Sequence, residues 1–383
     1  MTPMRIAVLS HVRHPIAEPF MGGLEAHSWH LCRALAQRGH DVTLFAAGDS
    51  APPEGVTLHP ILDVHYDAAF PWHHHHGTEA LNRHVDAGFR AAMRAVLDGG
   101  FDVVHNNSVH RYPPRLARAY RVPMLTSLHV PPFDALHRSV LESDAPWSRF
   151  AVTSEKQLES WWPEGAPEAA HVAHNGVDLD RWRYVPEGDG RAVWAGRILP
   201  NKGLHFAVTA AGFAGLPLDI YGVVEDEQYF NTLIKPYLSD RIRYHGHVDA
   251  ARLARETGRA SVFVFTPMWD EPFGLAAVEA MACGVPVAAI DNGAVREIVG
   301  DEAGRFARPN EPAALGIAMK RAMRVDRRLA RKRVERLYAV DRMVDRYEEL
   351  YARVRAGLDA DRPDVDFPAI ELDVAAPLLR AAE

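Results

Sequence analysis

Residues 269–287, "WDEPFGLAAVEAMACGVPV", place two glutamates, Glu271 and Glu279, eight positions apart across a turn and an apolar helical run. Pro272 and Gly274 suit the turn, and "LAAVEAMAC" continues as a helix stopped by Gly284. The first N–H groups of such a helix, around Phe273, Gly274 and Leu275, have no partner inside it and favour an anion such as a phosphate. Glu271, on the approach, can accept hydrogen bonds from hydroxyls beside that phosphate. Glu279 sits between "LAAV" and "AMA", where a buried, unpaired carboxylate is costly, so it calls for a polar partner. A vicinal diol such as a ribose would supply one. The structural alternative is a surface charge before the helix and a solvated residue within it. On the chemical reading, each sugar of a nucleotide sugar receives one carboxylate.

Two further loops carry compatible chemistry. In "GRILPNKGL" (196–204), Arg197 and Lys202 stand five apart around Pro200 and Gly203. A bidentate guanidinium beside a point-charge ammonium suits a diphosphate, and a pair of exposed surface cations is the alternative. In "MGGLEAH" (21–27), Gly22 and Gly23 open a helix and leave backbone N–H groups uncovered, although a glycine pair also serves as a plain turn. No G-x-G-x-x-G follows the first strand and no G-x-x-x-x-G-K-[ST] occurs, which counts against an NAD-type Rossmann enzyme and a P-loop nucleotidase. "DLD" (178–180) resembles a metal-binding D-x-D but reads as structural. "HHHH" (73–76) cannot turn four adjacent imidazoles onto one ion, so it reads as an acceptor-side or plain surface loop. No metal site follows.

The elements that must position these loops alternate. Strand-like runs at 4–10, 41–48, 102–107, 123–129 and 149–154 are separated by helical patterns such as 23–39 and 78–98. A second series, at 192–198, 218–223, 242–247, 261–266 and 285–290, starts after the Pro/Gly-rich, charged stretch 183–191. Near-continuous apolar strands suit parallel sheets covered on both faces. Two tandem α/β domains are expected, with ligands at the carboxyl ends of the strands. The run 320–337 reads as one basic, solvated surface helix, and no structure is assigned to the acidic, proline-containing 358–383.

At 383 residues the chain is long enough for two cores, and its net charge of -7 argues against a general affinity for nucleic acid or anionic membranes. Cys32 and Cys283 stand in apolar helical contexts as small hydrophobes, so no disulfide framework is expected. No apolar run approaches a membrane span and the start shows no signal-type core, which gives a cytoplasmic, soluble expectation.

Together these motifs resemble the GT-B glycosyltransferases of family 4 from about residue 4 to about 355. The family's E-x7-E stands as Glu271 to Glu279, its glycine loop as Gly22-Gly23, its phosphate loop as "GRILPNKG", and its linker-side motif as "HNGVDLDRW" (174–182). "WDEPFGL" and "YFNTLIKP" (229–236) are similar to the subgroup of avilamycin-type and UDP-glucose:tetrahydrobiopterin glucosyltransferases. The resemblance implies two Rossmann-like domains with parallel sheets facing across a cleft: 1–186 on the acceptor side, 187–340 for the donor, and 341–383 as a crossover helix and tail. It implies that Arg197 and Lys202 hold the donor diphosphate, with N–H groups at Gly23 and at Phe273 to Leu275. Glu279 would bind the ribose and Glu271 the donor sugar. His129 would face that sugar, and backbone around Gly246, His247 and Val248 would meet the base. The implied reaction is metal-independent, without a cofactor, and retains the anomeric configuration. The donor is a nucleotide diphosphate sugar, UDP-glucose by subgroup; the acceptor is an unidentified small molecule or glycan. "NGAVRE" departs from the family's Gly-Gly-x-Pro-Glu at Asn292 and Val295. Rival readings are a sugar-nucleotide epimerase and a nucleotide-sugar-binding regulator. A lipid acceptor would need a basic amphipathic face, which the proline-broken "RYPPRLARAYR" (111–121) does not supply.

Overall fold

The computed structural model describes residues 2–359. Its first sheet is built from β1 (Arg5–Ser10), β2 (Asp41–Ala47), β3 (Val56–Leu62), β4 (Val103–Asn107), β5 (Met124–Leu128), β6 (Ser148–Val152) and β7 (Ala170–Val172). Its second contains β8 (Ala192–Ala195), β9 (Leu218–Tyr221), β10 (Ile242–Tyr244), β11 (Val262–Phe265), β12 (Val287–Ile290) and β13 (Gly304–Ala307). The orders are β3-β2-β1-β4-β5-β6-β7 and β10-β9-β8-β11-β12-β13, and the neighbours within each pair in parallel. These are two Rossmann-like α/β units, as the alternating pattern predicts.

Burial on both faces explains the apolar strands. Val262 and Val264 enter one core cluster with Leu204 and Ile220, while Phe263 and Phe265 enter another with Val278 and Met281. Strand order reverses between β1 and β4 and again between β8 and β11. Loops leaving these strands toward opposite faces open a crevice at each switch point. Gly22-Gly23 follows β1, "GRILPNKG" follows β8, and "WDEPFG" follows β11, so the chemistry-bearing loops lie where the topology opens.

Three edge or near-edge strands escape the sequence pattern. β3 carries Pro60 and lies at a sheet edge, β7 has three residues, and β13 begins Gly-Arg.

The 320–337 run is corrected. It is two helices, Pro312–Ala322 and Arg327–Leu337, and Asp326 starts the second by accepting the Arg328 N–H at 2.9 Å. Nor is it merely a solvated face. Arg327 is buried and donates to the carbonyls of Gly258 and Ala260, each at 2.7 Å, and of Val185 at 2.8 Å. Helix ends leave carbonyls without intrahelical partners, and a guanidinium fork satisfies several at once.

The helix Val340–Ala356 leaves the second sheet and packs on the first. Tyr347, Leu350 and Tyr351 are fully buried with Val8, Leu31 and Leu44. Residues 360–383, which include most of the acidic tail, lie outside the described residues.

Candidate active site

The two sheets bring the phosphate-type loops face to face. A side chain at Gly22 would begin 3.9 Å from Arg197 Nε, and one at Gly23 would begin 3.5 Å from Leu275 Cδ2. The glycines therefore let the start of helix Gly23–Gln37 approach the start of helix Leu275–Ala282 from the other unit. Glu25 keeps this end from being simply positive. Burial alone would raise its carboxyl, but His11, 3.1 Å away, overrides that and brings it to about 2.

Lys202 and Glu271 meet directly: Nζ lies 3.0 Å from Oε2, and the same oxygen accepts Trp269 Nε1–H at 2.8 Å. The ammonium also stands 4.7 Å from the Trp269 ring centre. Arg197 donates to Glu225 at 2.9 Å. Both cations thus lean on carboxylates of the protein. An anion entering here would exchange one acceptor for another rather than meet bare charge. Beside Glu271 a cavity of about 30 Å³, room for one water, reaches Pro131 and Gln157 of the first unit.

Gly274 makes the turn into helix Leu275–Ala282 with φ +88°, and a Cβ there would stand 2.8 Å from the Phe265 ring. Gly274→Ala is expected to cost about 1–3 kcal/mol of stability, read by thermal unfolding, because both the backbone region and the ring exclude it. One turn on, Glu279 stays partly open to solvent among buried Ala277, Val278, Ala280 and Met281. The expected polar partner is not supplied by the protein: among the described residues its carboxylate makes no hydrogen bond. Burial pushes its pKa up to about 8, against the opposing pull of Arg181. It is a half-buried carboxyl among apolar neighbours rather than a fully solvated helix residue.

His129 directly follows β5 and is half-buried. Its Nε2 lies 3.0 Å from Asn107 Oδ1, which also lies 3.0 Å from His105 Nε2. In this amide orientation Oδ1 accepts an Nε2–H from each ring, and Asn107 Nδ2 is left buried without a partner among the described residues. Tyr351 then donates to His105 Nδ1 at 2.6 Å. A polar relay therefore runs from helix Val340–Ala356 to His129, whose Nδ1 remains an acceptor. Burial, reinforced by His11, lowers the His129 pKa to about 3. It is a neutral hydrogen-bonding group at ordinary pH, not a proton shuttle.

The family model Glycosyltransferase Family 4 matches residues 21–181, and Glycosyl transferases group 1 matches residues 179–337. The chain belongs to the group 1 and family 4 glycosyltransferases. Glycogen synthase of Mycobacterium tuberculosis is 28% identical over 363 residues, covering 83% of this chain and 85% of that protein. Among solved structures, a glycosyltransferase involved in avilamycin A biosynthesis has a TM-score of 0.67 at 20% identity, covering 93% of this chain and 99% of that one. Anabaena HepE in complex with UDP-glucose has a TM-score of 0.69 at 16% identity, covering 91% and 99%. The fold is GT-B.

Elsewhere in the glycosyltransferase, Gly246, His247 and Val248 lie just past β10, and Val248 packs on the cluster that holds helix Leu275–Ala282. Asp178 accepts Arg33 at 2.9 Å and the N–H of Asp180 at 2.9 Å, a structural use of "DLD". Trp72–His75 form one helical turn, and the His76 ring lies tilted against Trp72, with centroids 4.1 Å apart. Among the described residues no group of three His, Cys, Asp or Glu side chains is placed to hold a metal ion. None of these residues belongs to a helix long and apolar enough to cross a membrane. Four residues near the site were missed by sequence reasoning: Arg13, Asn107, Glu225 and Arg181. Only Asn107 left a signal, since "HNN" ends a strand whose every residue is buried.

Proposed function

We propose that this glycosyltransferase moves a hexose, glucose, from UDP-glucose to a small-molecule or glycan acceptor with retention of configuration. The observation that carries the reading is the approach of Arg197 and of the start of helix Leu275–Ala282 to Gly22-Gly23 across the cleft, with Lys202 and Glu271 paired at 3.0 Å in the loops of the second unit. As the glycosidic bond breaks, the leaving diphosphate gains negative charge. Arg197, Lys202 and the N–H groups at Gly23 and Phe273 to Leu275 stabilise that charge more strongly in the transition state than in the ground state. Glu271 accepts from donor-sugar hydroxyls, Glu279 accepts from the ribose diol, and the backbone of Gly246 to Val248 meets the base. His129 accepts a hydrogen bond from a donor-sugar hydroxyl through Nδ1. No step requires a metal. Support for UDP-glucose comes from the subgroup likeness of "WDEPFGL" and from HepE, which shares the fold and binds that donor. Residues 1–186 form the acceptor-side domain and 187–340 the donor domain of a cytoplasmic enzyme, with 341–383 holding the crossover helix and a tail.

The test is a thermal-shift panel of UDP, GDP, ADP, dTDP and their glucose conjugates, without metal, on wild type and Arg197→Ala. A nucleotide at about 100 times its Kd adds about 2.7 kcal/mol. A shift with the uridine ligands alone, lost in the variant, supports the donor; no shift with any nucleotide refutes the donor site.

The tautomer of His129 is separately checkable. In Asn107→Leu the Nε2 proton loses its acceptor, so ¹⁵N imidazole shifts should move toward a tautomer mixture. The donor kcat/KM should fall roughly 5- to 10-fold, the worth of one neutral hydrogen bond.

A further inference from the structure

Arg13, in the loop between β1 and the helix Gly23–Gln37, has no part in the reading above. Its guanidinium lies 2.5 Å from Glu225 Oε1 of the second unit and 3.4 Å from Asp67 Oδ1 of its own, with its carbon 5.0 Å from the centre of the Trp72 ring. The other oxygen of Glu225 lies 2.9 Å from Arg197. Asp67 also accepts the Trp72 N–H at 2.9 Å. A line of alternating charge therefore runs from the segment around Asp67 and Trp72, through Arg13 and Glu225, to Arg197. The Arg13 and Glu225 side chains are 18% and 13% exposed, so water and salt screen their pairing only weakly.

We propose that Arg13 is a positioning residue of the donor site, which draws Glu225 away from Arg197 when a diphosphate arrives. One carboxylate charge is shared by two guanidinium groups. A diphosphate that takes Arg197 must displace Glu225 from it, and a largely buried carboxylate left unpaired is costly. Arg13 retains Glu225 at that moment, so it lowers the cost of donor binding without touching the donor. Reciprocity then requires that donor binding strengthen the Arg13–Glu225 pair, which pulls the first-unit loop and the Asp67–Trp72 segment onto the second unit. Donor occupancy is thereby communicated to the other wall of the cleft.

The inference rests on Arg197 as a diphosphate ligand, and calorimetric titration with UDP separates the two. Arg13→Ala should weaken UDP binding about fivefold or more, the lower end of ordinary coupling between sites. Arg13→Lys should fall between it and wild type, because the charge remains but the fork to both carboxylates is lost. Glu225→Gln should bind UDP more tightly than wild type, and adding Arg13→Ala to it should change nothing further. An equal loss from Arg13→Ala in both backgrounds would mean that Arg13 contacts the nucleotide and would overturn the proposal. So would a wild-type affinity in Arg13→Ala. If UDP fails to bind the wild type, or binds Arg197→Ala undiminished, the donor reading itself falls and takes this inference with it.

Discussion

Lys202→Ala should lower kcat/KM for UDP-glucose by about 10²–10³-fold, measured as UDP release. The ammonium is 22% exposed and touches one carboxylate and one indole. It is the kind of compact charge that stabilises a developing dianion without reorganising. Removing it leaves Glu271, 8% exposed, with the Trp269 N–H and no cation, so about 1–3 kcal/mol of stability should be lost too. Adding Glu271→Gln separates the two effects. The double variant should recover much of the lost stability and none of the activity. Recovery of activity, or a single variant within threefold of wild type, would remove Lys202 from the leaving-group site.

Glu279 should make the enzyme's stability and its nucleotide affinity depend on pH in opposite directions. Its ordinary pKa of 4.5 rises to about 8 through burial, so the folded chain holds a proton that the unfolded chain has released between these values. The associated stability is fully present below 4.5, declines as pH rises, and is lost through about 8. Glu279→Gln should match wild type near pH 5 and exceed it at pH 8–9 by about 2 kcal/mol, allowing for the part of the side chain that still meets water. A ribose diol donating to the ionised carboxylate favours deprotonation. UDP should therefore bind the wild type more tightly as pH approaches 8 and release a proton, seen as buffer-dependent calorimetric enthalpies. The Gln variant should bind weakly, with no such release. A wild-type affinity that is flat in pH would mean that Glu279 does not face the ligand.

Much of this site is legible in the sequence because its residues sit in loops with strong local chemistry. Glu271, Gly274, Arg197 and Lys202 follow fully apolar strands, and the turn residues beside them show where each strand ends. Their partners are less visible, since the pairing is made by topology. Arg13 and Glu225 are 212 positions apart and meet only because two switch points face each other. Asn107 and His129 meet because β4 neighbours β5. The 320–337 segment misled for a related reason: arginines spaced along an amphipathic helix look solvated until the carbonyls they serve are known. Glu279 shows the limit of burial arguments. Its burial cost predicts a polar partner, and among the described residues no side chain or backbone group supplies one.

The return of helix Val340–Ala356 to the first sheet has a consequence for recombination among these enzymes. Tyr347, Leu350 and Tyr351 fill the first core, and Tyr351 holds His105, although all three come after the whole second sheet in the chain. A chimera that takes its first α/β unit from another glycosyltransferase therefore needs two crossover points, one ahead of β8 and one ahead of Val340. With a single junction, a foreign helix would be asked to fit a cavity shaped for these tyrosines. The first unit is a discontinuous unit of inheritance, and its two pieces must be exchanged together.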